Sequence, residues 1–279
     1  MKLQGPRAFA TGAAFAVFRW YRLQGAGLCV ELRRPCFVAL KSWMTVPWST
    51  GLKSKSLLDR SVDLLVRIPG LLKGYDDSLC GKLSPEGLDQ IVYNLVDDMH
   101  EWLRKHLSTS PLYATCFESD QPVDIQAVAC AISTGKCSDA EFAQAVALYL
   151  STWLLITRLG DRYTHMLPQP VAILAEHTLA ICKAYLCRQE ETGLVPWIFA
   201  TRIALLMPTT AMVSNKVELC REIDRRYSCE LMATSINFTT TEIESYLSHT
   251  ETAAHDVNID RISNSDLELQ VRREAKLGD

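Results

Sequence analysis

The residues best suited to chemistry in this 279-residue chain are the acidic string Asp97-Asp98-Met99-His100-Glu101. Three carboxylates in a DDxxE pattern supply the hard oxygen ligands that Mg²⁺ prefers, and Mg²⁺ so held can grip a diphosphate. For that work all three must face a cavity. The surrounding periodicity points elsewhere. Leu88, Ile91, Val92, Leu95, Val96, Met99, Trp102, Leu103 and Leu107 form one apolar face at helical spacing. With that stripe centred on Leu95 and Met99, Asp97 and Glu101 fall on the opposite side and Asp98 at its edge. Glu101 is then set to pair with Lys105 one turn on. His100 and His106 stand six residues apart instead of four, so on a helix they diverge by about 120° and cannot share a metal. The sequence holds no phosphate-cradling glycine loop and no GxSxG nucleophile turn.

The elements that must position these residues read as helices throughout. Besides 88–107, helical periods predict helices over 11–40 (broken near Gly25-Ala26-Gly27), 55–72, 142–159, 171–187, 196–206, 214–232 and 240–247, with a short one at 266–275. Ser84-Pro85 starts one of them with a hydroxyl cap and a proline whose missing N–H costs nothing there. Ser138 to Glu141 and Thr239 to Glu242 both read as capping boxes. Pro69, with Gly70 beside it, is expected to kink or end its helix. Residues 109–122 read as a polar, proline-bounded loop that divides two helical subassemblies. The expected architecture is all-α, an irregular multi-helix bundle over 1–247 followed by a polar tail over 248–279.

Hydrophobic residues make up 48% and charged residues 22%, with a net charge of −3. That balance suits a packed domain and offers no electrostatic attraction for nucleic acid. The 10 cysteines contain no CxxC step, so buried reduced thiols are expected and no bound metal or other cofactor. Cys29–Cys36 and Cys130–Cys137 share one spacing. No secretory leader is legible, and the apolar run 142–157 falls short of a membrane span.

Three blocks then stand out: Gln4-Gly5-Pro6-Arg7-Ala8-Phe9-Ala10-Thr11-Gly12, Thr45-Val46-Pro47-Trp48, and Leu64 through Ile68-Pro69-Gly70 to Leu72. In this order they resemble the middle region of fungal zinc binuclear cluster transcription factors. Leu179-Ala180-Ile181-Cys182-Lys183-Ala184 and the stretch from Trp197 through Arg202 to Leu206 resemble that family's later helical blocks, so the likeness runs over about 4–230. It implies a nuclear regulator whose helical domain governs transcription near fungal metabolic gene clusters. The family's cysteine-rich DNA-binding module lies upstream of such blocks, and this chain starts at Met1 without it. The expectation is therefore a regulatory part that works through protein partners and does not bind DNA itself. Apolar surface on 11–40 is the expected contact, with Phe15 and Phe18 as candidates. The alternative is a Mg²⁺-dependent helical enzyme of secondary metabolism, resembling terpene synthases, that uses Asp97, Asp98 and Glu101.

Overall fold

The computed structural model describes residues 4–49, 54–117, 123–186, 195–205 and 207. These fall within Met1–Thr210, the first of two units into which the chain divides. The helices expected at 214–232, 240–247 and 266–275, the Thr239 capping box and the tail lie outside the described residues. The described part is all-α, with no strand among its residues.

At the centre lies α8 (Ala140–Ile156), where every residue from Phe142 to Ile156 is buried. By length and composition Ala140–Leu159 could cross a membrane, but 89% of that window is covered by the protein's own helices. Ser151 and Thr152 donate to the carbonyls of Ala147 and Leu148 at 2.8 and 2.9 Å, so these two hydroxyls enter the core satisfied within the helix. The buried Tyr149 hydroxyl and Trp153 indole N–H, by contrast, have no hydrogen-bond partner among the described residues. Against α8 pack α3 (Leu57–Leu65), α9 (Val171–Leu186) and α10 (Val195–Leu205), and α7 (Ile125–Ser133) lies on α9. The sequence reading passes over α7, whose Asp124 caps the helix by accepting from the Gln126 N–H at 2.9 Å.

The N-terminal layer is built from α1 (Gly12–Glu31), short α2 (Lys41–Thr45) and the 3₁₀ turns Pro6–Phe9, Phe37–Ala39 and Val46–Trp48. Helix α1 does not break at its glycines. Gly27 instead lets the Phe199 ring of α10 approach, to 3.3 Å from where a Cβ would sit. The helix ends at Glu31, and no helix continues to residue 40. The helix expected over 55–72 is two. α3 stops at Leu65, and α4 (Ile68–Leu79) restarts with Pro69 in its first turn, where a proline removes no intrahelical bond. Gly70 ends nothing, and α4 runs on from Leu72 to Leu79, nearly two further turns.

α5 (Pro85–Glu101) is capped by Ser84, as expected, and continues into a π-helical segment, Trp102–Leu107. The 109–122 region contains α6 (Pro111–Cys116), which buries Tyr113, so it is not loop throughout. The start of α8 also shifts by one residue. Asp139, not Ser138, is the cap, accepting from the Phe142 N–H at 2.6 Å.

Candidate functional site

The acidic string lies on the face the periodicity assigns it. Asp97 and Asp98 are exposed; Asp98 pairs with Arg67 and Glu101 with Lys105. The hydrogen bond from Lys105 holds the Glu101 carboxyl below its usual range. Among the described residues no group of three or more His, Cys, Asp or Glu is placed to hold a metal ion. His100 lies beside the Trp153 ring, 5.8 Å between centroids, whereas His106 meets Arg60 at 3.3 Å. The two imidazoles thus diverge.

Phe15 and Phe18 are not surface residues. They are 8% and 0% exposed, packed on Trp48 at centroid distances of 5.7 and 5.4 Å. Contact by a partner at these two rings would require unpacking the core. The same helix does present apolar residues outward, but they are Val17, Trp20 and Leu28, with Leu32 just past its end, each about half exposed.

The densest functional-type cluster surrounds Arg22, which sequence reasoning missed. Arg22 is 1% exposed and points from α1 to α3. Its guanidinium bonds the Asp63 carboxylate and lies 3.7 Å from that of Asp59. It also covers the Trp48 indole, 4.6 Å from the ring centre. Lys55 approaches the same indole at 4.7 Å and shares Asp63. Arg19 donates to Asp59 at 2.9 Å. Asp59 at the same time completes the α3 capping box with Ser56: the Asp59 N–H reaches the hydroxyl at 3.2 Å, and the Ser56 N–H reaches the carboxylate at 3.3 Å.

Burial drives the Arg22 pKa down, and Asp63 and then Asp59 oppose the shift. Burial likewise lowers Lys55, opposed by Asp63. Arg22 Nε and the Trp48 indole N–H have no hydrogen-bond partner among the described residues. The arrangement commits its cations to carboxylates already present and the Ser56 hydroxyl to the α3 cap. It can fix the register of α1 on α3. A sequence signal for it existed: Arg22 stands one turn after Phe18 on the helix face that buries Leu23 and Ala26, opposite an i,i+4 pair of aspartates.

Around this cluster the separate N-terminal blocks meet. Phe9 packs on Phe18 and Trp43 at 6.2 and 5.8 Å. Trp48 caps Arg22. Leu64, Leu65, Ile68, Leu71 and Leu72 supply buried faces of α3 and α4, and α1 packs on both helices. No family profile, curated protein or solved structure matches the chain.

Proposed function

We propose that this chain is a helical regulatory protein of the transcription-factor type, similar to the regulatory region of zinc binuclear cluster factors. It acts in the nucleus through protein partners on genes of fungal metabolism. The observation that supports this most is the convergence of blocks 4–12 and 45–48 on one core about Phe18, Trp48 and Arg22, with α3 and α4, which carry 64–72, packed on the same helix α1. Segments far apart in sequence that build one core form a single structural unit, as blocks of one conserved domain type would. The half-exposed apolar side of α1 is in keeping with partner contact. The net charge of −3 is in keeping with contact to protein in preference to nucleic acid. The magnesium-dependent alternative gains no support from Asp97, Asp98 and Glu101, which stand on the outer face and are in part ion-paired.

The experiment fuses the full chain to an unrelated sequence-specific DNA-binding domain in fungal cells carrying a matching reporter. The expected result is reporter output several-fold above or below that of the DNA-binding domain alone. Output equal to that control, with the fusion expressed and nuclear, overturns the reading.

A further inference from the structure

The segment that continues α5, Trp102–Leu107, is π-helical, and its wide register shows in the Ser108 N–H, which bonds the Leu103 carbonyl at 3.1 Å. Such turns are rare and recur where a helix serves a specific contact. This one has two contacts of opposite character. At its start Trp102 is 2% exposed and stacks on Tyr149 of the central helix α8, 4.7 Å between ring centres. Near its end His106, only part-buried, meets Arg60 of α3, with 3.3 Å between the ring Nε2 and a guanidinium nitrogen. The carbonyls of Arg104 and Lys105 are closed off locally, by the hydroxyls of Ser108 and Thr109.

The Arg60–His106 bond can run in one direction only. A guanidinium has donors and no acceptor, so Nε2 must accept, and the imidazole must be neutral with its proton on Nδ1. Protonation fills Nε2, removes that acceptor and leaves two cations facing each other. The charges around the ring offer little to offset this. On the side of α3 they are Arg60 and Lys55, and on its own segment Lys105, Arg104 and the acid Glu101. Lys55 is bonded to Asp63 and Glu101 to Lys105. Among the described residues Arg60 pairs with no carboxylate.

We propose that the Arg60–His106 bond is a proton-operated latch, which holds the π-helical segment on α3 while His106 is neutral and releases its last turn when His106 is protonated. The sign follows from the bond itself. Burial first, and Arg60 second, hold the His106 pKa below its ordinary 6.5, while Glu101 pulls the other way. The latch is therefore fully closed above pH 6.5 and opens as the pH falls through the lower folded value. Trp102, at the other end of the segment, stays anchored on α8. The response is thus a local opening of the segment's last turn, distinct from unfolding of the core.

The test follows amide hydrogen exchange of the full chain, peptide by peptide, from neutral pH to about pH 5, corrected for the pH dependence of free-amide exchange. Peptides covering 103–109 should lose protection several-fold over that interval, while those from α8 hold theirs. His106→Gln keeps an acceptor for Arg60 but cannot titrate, and should stay protected throughout. Arg60→Met keeps the stem and removes the donor, so the His106 ring resonance should titrate closer to 6.5. Should the Arg60 variant fail to fold, the comparison of wild type with His106→Gln decides alone. Protection over 103–109 that is independent of pH in the wild type overturns the proposal. An equal loss in His106→Gln does so too, as does a loss of the same size across α8 and α9.

Discussion

At the scale of single residues, the most consequential side chain is Arg22, a cation placed where the periodicity of α1 calls for an apolar residue. Its charge is offset by Asp63 and Asp59, and its flat face lies on Trp48. Removing one partner of such a network leaves the others buried and uncompensated. Arg22→Ala is therefore expected to cost about 3–5 kcal/mol in urea unfolding. Asp98→Asn, which breaks the exposed pair with Arg67, should cost less than about 1 kcal/mol. Equal losses for the two would show that the Arg22 network contributes no more than a surface ion pair. The aromatic residues of α1 divide in the same manner. Phe18→Ala should destabilise by about 3–5 kcal/mol, while Trp20→Ala, at a half-exposed position, should cost about 1 kcal/mol or less. A melting curve of each variant checks this, and only the Trp20 variant is then suited to a partner-binding assay.

At the scale of elements, the start of α8 shows how closely a helix boundary can be read from sequence and where that reading slips. Ser138 and Asp139 are both good caps, and the Ser-x-x-Glu spacing favours Ser138. The structure uses Asp139, because its carboxylate reaches the Phe142 N–H at 2.6 Å and an acidic side chain suits the positive end of the helix. Asp139→Ala should accordingly cost about 1 kcal/mol, and Ser138→Ala within about 0.5 kcal/mol of nothing. The reverse order, measured by chemical denaturation, would return the cap to Ser138. Gly27 carries a related lesson. Glycine lowers helix propensity, which argued for a break, but the gain from seating Phe199 against a bare backbone outweighs that loss. Gly27→Val is expected to push Phe199 away and loosen α10 on α1, read as a lower melting temperature and faster amide exchange in α10. The capping box at Ser56 is absent from the sequence reading. Its fourth residue is Asp59 where Glu or Gln is usual, and Asp59 is held there by Arg19 as well.

At the scale of the whole molecule, the response to acid follows from burial. Burial, followed by repulsion from Arg60, pushes His106 below its ordinary 6.5. Burial does the same to His177, against the pull of Glu176 and Asp124. A depressed pKa means the unfolded chain binds the proton more readily. The corresponding stability is thus fully present above pH 6.5 and is lost as the pH falls through the lower folded values. The urea midpoint should fall as buffers go from neutral to about pH 5, and His177→Gln should flatten that fall. A midpoint that rises over the same interval would contradict the sign. Asp76, held below 3.8 chiefly by its hydrogen bond from Arg33, adds its own loss only in stronger acid. By itself the sequence determined the all-helical class, the burial of α8 and the outward face of Asp97 and Glu101, because helical periodicity is a local property that sorts residues by face. Only the tertiary structure decided that Phe15 and Phe18 are core and that Arg22 has two carboxylates to meet. Those outcomes depend on which elements meet, and that is not encoded in the period of a single helix.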